Sequence, residues 1–282
     1  MKIQYLGTAA AEAIPGLFCS CETCREAREK KGRYVRTRSQ LLIDDTLLID
    51  FGPDTYMHAL NFGVDLPNIE NLLITHIHAD HFTATELLYR LAGFAHTDTP
   101  TLTVHGSRDV LDCLEARVYG DGSFANQNRV AFKTLEPYVT VAVGGYEVTP
   151  LPAQHGTLHP YVYHISDGER RFLLLNDTGR PTPELMEWLK KNGGELDCVS
   201  FDCTYGYENV LAKFGVADHH MGLIDNAEVR DELGAEGILK DGAVCVATHF
   251  SHNGKDAGYG KMLEHTDRLG FLLAYDGMTV EI

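Results

Sequence analysis

The chain has 282 residues, 44% of them hydrophobic, with 40 acidic against 24 basic side chains and a formal charge of −16. That length buries a large core, while so acidic a balance argues against a surface that tracks nucleic-acid phosphates, which needs Lys and Arg. No apolar run approaches the roughly eighteen residues of a membrane span, and Met1-Lys2-Ile3-Gln4-Tyr5-Leu6 alternates like a strand rather than a signal peptide, so the expected location is cytoplasmic.

In chain order, strands are expected at Ile3–Leu6, Gln40–Ile43, Thr46–Ile49, Asn71–Ile74 and Thr101–Val104, with helices at Thr55–Asn61, Thr83–Leu91 and Arg108–Arg117. A second series follows, with strands at Val139–Val143, Tyr146–Leu151, Tyr161–Ser166, Arg171–Leu175, Cys198–Phe201 and Ala243–Ala247. Its helices are expected at Pro183–Lys191, Leu223–Leu233 (stopped by Gly234) and Lys255–Arg268. Asp44-Asp45 and Asp167-Gly168 read as hairpin turns. No Pro-, Gly- or Ser-rich linker separates the series, so the expectation is one α+β domain over 1–282. Two halves meet near 140–145, and the layers form an αββα sandwich. The basic stretch Lys30, Lys31, Arg33, Arg36 and Arg38 reads mainly as a solvated face.

Chemistry concentrates after the strand at Leu72-Leu73-Ile74, in Thr75-His76-Ile77-His78-Ala79-Asp80-His81. Imidazoles and a carboxylate at this density repel or go unsatisfied without a cation. In an extended backbone His76 and His78 project to one side, and past the bend Asp80 and His81 aim at a second point, so two metals are implied. One loop cannot complete two coordination spheres. Further donors stand after later strands: His155 in Ala153-Gln154-His155-Gly156, Asp177 in Asn176-Asp177-Thr178-Gly179, and His249 in Thr248-His249-Phe250-Ser251-His252. Each alone reads as a cap or core residue; their shared placement is what makes them donors.

Seven cysteines form an odd set, and Cys19, Cys21 and Cys24 fall within six residues, a spacing suited to metal ligation in a reducing compartment. Zinc in a structural site takes four tetrahedral ligands, and Cys203, His219 and His252 have the right chemistry for the fourth.

Taken in order, His-x-His-x-Asp-His and the later His, Asp and His resemble the signature of the metallo-β-lactamase-fold hydrolase superfamily, over nearly the whole chain. The resemblance implies one metal on His76, His78 and His155, another on Asp80, His81 and His249, and Asp177 bridging them. It gives Asp50 a supporting role behind the metal loop. With its cysteine triad the chain also looks like the phosphoribosyl cyclic phosphodiesterase branch associated with carbon–phosphorus lyase pathways, where the histidine three residues after the last catalytic ligand, here His252, completes a structural zinc. The implied cofactors are two divalent ions, Zn or Mn, at the active site and one structural Zn. The expected reaction is hydrolysis of a small cyclic phosphate or nucleotide ester by a metal-bridging hydroxide. His220, ahead of a helix, serves the leaving group, with His219 as the alternative, and Asp80 is counted with His220 as catalytic.

The expected partner is a small phosphorylated substrate, without membrane or nucleic acid; a homodimer is compatible with the sequence. A pyrroloquinoline quinone-type cofactor-biosynthesis enzyme and a non-catalytic metabolite-binding module are the alternatives. The tRNA 3′-processing branch fits less well because of the charge. Segments 120–137 and 204–218 read as insertions where substrate-facing loops belong. Arg180 is within reach of a substrate anion but stands beside Pro181. The remaining histidines, His58, His96, His105, His159, His164 and His265, read as packing or surface.

Overall fold

The computed structural model describes residues 1–96, 100–119, 129–210 and 219–282. The strands of the first half are β1 (Lys2–Gly7), β2 (Gln40–Ile43), β3 (Leu47–Ile49), β4 (Asn71–Leu73), β5 (Leu102–Gly106) and β6 (Val130–Thr134). Those that follow are β7 (Val141–Val143), β8 (Tyr146–Pro152), β9 (Tyr161–Ser166), β10 (Arg171–Leu175), β11 (Leu196–Asp202), β12 (Leu239–Thr248), β13 (Leu272–Leu273) and β14 (Met278–Glu281). They form two seven-stranded sheets, β14-β1-β2-β3-β4-β5-β6 and β13-β12-β11-β10-β9-β8-β7.

The strands are apolar on both faces, which requires cover on both sides. One side chain set fills the gap between the sheets, with Ile3, Tyr5, Leu41 and Ile49 from the first meeting Val148, Tyr163, Phe172 and Val246 from the second. The alternate set, Leu6, Leu42, Leu48, Leu72 and Val104, faces outward and is covered by side chains including Phe62 and Val110, from α2 (Thr55–Phe62) and α3 (Arg108–Leu114). On the second sheet Leu173, Val199, Phe201 and Ala247 meet α4 (Pro183–Trp188), α5 (Leu223–Ala235) and α6 (Tyr259–Leu269) through Leu185, Val229 and Met262. The period of two along each strand thus produces the four-layer α+β sandwich.

Several expectations are corrected. The 83–91 segment is a short 3-10 helix, Ala84–Arg90. A helix absent from the sequence reading, α1 (Glu22–Lys30), follows the cysteine triad; with only Cys24 and Ala27 buried, it lacks the apolar stripe that betrays a helix. The last helix begins at Tyr259 rather than Lys255, after turns at Gly254 and Gly258. Part of the expected 120–137 insertion is strand β6, paired parallel with β5; residues 120–128 and 211–218 lie outside the described residues. The basic stretch is not uniformly solvated. Arg36 is only 2% exposed, its guanidinium over Phe250 at 4.3 Å and donating to Thr8 Oγ1 and Ala274 O. Among the described residues no helix is long and apolar enough to cross a membrane.

Parallel pairing aligns the carboxyl ends of β3 to β6 and of β10 to β13. Open α/β sheets expose their ligand sites at these ends, and the chemistry-bearing loops leave the strands there.

Candidate metal centre

The loop after β4 bends where the amides of His81 and Phe82 both donate to His78 O, at 3.0 and 2.8 Å. This turns Asp80 and His81 back toward the end of β10. There Asp177 Oδ2 lies 3.1 Å from His76 Nε2 and 3.2 Å from His81 Nε2, and its Oδ1 lies 3.3 Å from His155 Nδ1. His155 Nε2 is 3.0 Å from His78 Nδ1, and His249 Nε2 is 3.3 Å from His81 Nε2. Two donor groups result, His76, His78, His155 and Asp177, and Asp80, His81, Asp177 and His249, each with its ligand atoms within 4.8 Å of one another. Asp177 belongs to both. Asp50, Asp177 and His249 all have positive φ (67°, 54° and 59°), a conformation costly for residues with a Cβ and concentrated where function over-determines the backbone.

Burial pushes His76 below its ordinary pKa and takes His155 down to about 4, which leaves these rings neutral, as ligands must be. Asp177 is buried too, which favours its acid form, yet His249, His76 and His81 hold it well below the usual carboxylate range. For His81 burial opposes charge, but Asp50 and Asp80 outweigh it and raise the ring well above its usual value. Asp50 Oδ2 lies 2.7 Å from His81 Nδ1 and its Oδ1 accepts from Thr75 N at 2.8 Å, so His81 turns Nε2 toward Asp80 and Asp177. His76 Nε2, His155 Nδ1 and Asp177 Oδ1 are buried and close together but make no well-aligned hydrogen bond. Buried donor atoms of this kind, converging from three loops, fit divalent cations.

The cysteine loop lies against the loop after β12. His252 Nδ1 is 3.7 Å from Cys19 Sγ and 3.8 Å from Cys21 Sγ, and Cys24 completes a group whose donors lie within 4.8 Å. Tetrahedral bonds of ordinary length to zinc put sulfur and nitrogen about 3.6 Å apart, so these residues fit that ion. Of the other two candidates, Cys203 is buried with its Sγ on Gly206 O, and His219 lies across from Gly156 beside His155.

His220 stands next to these donor groups, its Nδ1 3.2 Å from Asp202 Oδ2 and 3.1 Å from Asp177 Oδ1. Burial lowers its basicity, but Asp202 chiefly, then Asp177 and Asp80, raise it to about 9 in the metal-free protein. Asp202, absent from the sequence reading, is fully buried at the end of β11, and its Oδ2 also lies 3.2 Å from His249 Nδ1. The missed signal is an apolar run closed by an aspartate, the pattern that pointed to Asp177. Arg180 is not free for an anion: it pairs with Glu228 and Glu232.

Residues 45–250 match the model of the Beta-lactamase superfamily domain. Among curated sequences, ribonuclease Z of Bradyrhizobium diazoefficiens is 26% identical over 45% of this chain, and that of Halorubrum lacusprofundi 31% over 45%. These alignments span only 42% and 41% of the two relatives' lengths. Coenzyme PQQ synthesis protein B of Methylobacterium radiotolerans is 25% identical over 77% of both chains. Among solved structures, zinc-bound PqqB of Methylobacterium extorquens superposes with a TM-score of 0.77 at 21% identity, covering 100% of each chain. A diphosphatase of the PhnP family superposes at 0.72 with 20% identity, covering 100% of this chain and 97% of its own.

Proposed function

The chain belongs to the beta-lactamase superfamily, and on that premise we propose that it is a hydrolase dependent on two divalent cations, acting as a phosphodiesterase on small cyclic phosphate or nucleotide esters. The observation that carries the reading is the pair of donor groups joined through Asp177, with His220 beside them held by Asp202. Zn or Mn held there would supply Lewis acidity toward a phosphoryl oxygen and lower the pKa of water.

The chain's own residues do the rest. His76, His78 and His155 would hold one ion, Asp80, His81 and His249 the other, and the Asp177 carboxylate both. Asp50 fixes the hydrogen of His81 on Nδ1 and frees Nε2 for binding. His220 has Nδ1 engaged by carboxylates, so Nε2 is the nitrogen left to donate to a departing oxygen. Cys19, Cys21, Cys24 and His252 would hold a structural zinc that ties the N-terminal loop to the one carrying His249. A cofactor-biosynthesis role is the second reading, favoured by the 77% coverage shared with the PQQ synthesis protein.

A hydrolysis screen of Zn-loaded and Mn-loaded protein tests the proposal, using bis-aryl phosphodiesters, 2′,3′-cyclic nucleotides, ribose cyclic phosphates, thioesters and lactams. Turnover of a phosphodiester with loss on chelation is expected. Absence of turnover of any phosphodiester by protein carrying both ions sinks the substrate class.

A further inference from the structure

Asp50 supports the site from a strained backbone, with φ of 67°. A residue with a Cβ pays of order 1 kcal/mol or more to sit there, so the surroundings must hold it. Its amide donates to Leu73 O at 2.8 Å. Its carbonyl accepts from Gln40 Nε2 at 2.9 Å, and Gln40 is itself only 1% exposed.

The Gln40 amide has one orientation open to it. Nε2 faces two acceptors, Asp50 O and Thr55 Oγ1, at 2.9 Å each, and the Thr55 hydroxyl spends its hydrogen on Gly52 O. Gln40 Oε1 therefore points at His58 Nδ1, 2.6 Å away, and that nitrogen must carry the hydrogen. On its other side His58 Nε2 lies 2.6 Å from Thr37 Oγ1, which lies 2.6 Å from Asp276 Oδ2. Burial lowers His58 to about 4, so the ring is neutral and its single hydrogen is committed to Gln40. These groups touch none of the proposed ligands. The sequence left His58 among the packing histidines.

We propose that Gln40 and His58 are positioning residues for the metal centre, a buried relay that fixes the Asp50 backbone and, through the Asp50 carboxylate, the ring of His81. The relay's last step rests on the reading that His81 holds a cation. Its earlier steps do not, because Thr75 N donates to Asp50 Oδ1 and reports on Asp50 without any metal.

The test uses Gln40→Glu, which keeps shape and can still accept from His58 but cannot donate to Asp50 O. It is paired with His58→Leu, which breaks the relay, and His58→Asn, which restores a donor near the Nδ1 position. In protein stripped of the dinuclear metals, amide hydrogen exchange at Thr75 should speed up at least about tenfold in Gln40→Glu and His58→Leu and return toward the parent rate in His58→Asn. Amides of β9 and β10 should keep their rates. In titrations with Zn, affinity beyond the thiolate site should fall by about 10- to 100-fold in the first two variants, with the thiolate zinc retained. Unchanged Thr75 exchange and unchanged affinity in Gln40→Glu overturn the proposal. So does equal acceleration throughout both sheets, which marks a general loss of stability. If the parent protein binds nothing beyond the thiolate zinc, the proposed function falls instead, and Thr75 exchange still decides the relay.

Discussion

Replacing Asp202 with Asn keeps the shape of the side chain and removes the charge that His220 leans on. The difference between about 9 and the ordinary 6.5 of histidine, at about 1.4 kcal/mol per pH unit, corresponds to about 3 kcal/mol of net stabilisation of the His220 imidazolium in the metal-free protein, supplied by Asp202 chiefly, then Asp177 and Asp80, against the opposing effect of burial. The folded-state pKa is raised, so this stabilisation is fully present below pH ~6.5 and is lost as pH rises through about 9. From the carboxylate side, burial opposes ionisation but His220 and His249 hold Asp202 down at about 2, so acid breaks the same interaction only near that pH, and it is counted once. Urea unfolding of the protein with this site free of metal should therefore show the parent more stable than Asp202→Asn at pH 6. That advantage should shrink as pH rises through about 9, by the share of this stabilisation that Asp202 supplies. His249, whose Nδ1 also faces Asp202, adds in the same direction. An NMR titration of His220 should show its pKa falling in the variant. Parallel pH profiles for the two proteins would refute the ion pair.

His220→Ala should reduce turnover by about 10²- to 10⁴-fold while elemental analysis finds the metal content unchanged; loss of one active-site ion would make His220 a ligand. Gly52→Ala places a Cβ 2.0 Å from Asp80 O. A backbone clash of that size must displace the metal loop, and both melting temperature and dinuclear metal content should fall. Cys21→Ser and His252→Ala should each lose one equivalent of zinc and lower the melting temperature. In either variant, retention of that zinc would dissolve the thiolate site.

The strands that alternate or run apolar, such as Gln40–Ile43 and Arg171–Leu175, were legible because burial on both faces fills most of their positions with apolar side chains, Leu41 to Ile43 and Phe172 to Leu175. The grouping of His76, His78 and His81 was legible because six residues cannot separate them far. What the sequence concealed depends on contacts across long separations. Asp202 meets His220 and His249 only once β11, β12 and the loop before α5 are assembled. His58 looks like an ordinary helix residue until Gln40, from strand β2, supplies its partner. Helix α1 was hidden for a local reason, since charges occupy most of its turns and the adjoining cysteine loop carries the recognisable chemistry.

The thiolate cluster joins residues far apart in synthesis: Cys19 and His252 are separated by 233 positions. The three thiols leave the ribosome well ahead of their imidazole partner, with almost all of the two sheets made in between. During that interval they are open to oxidation or to an ion held without its fourth ligand. Closure of the cluster around the proposed zinc would report that the loop bearing His249 has reached its place, so the order of translation itself would set when such a centre can be finished.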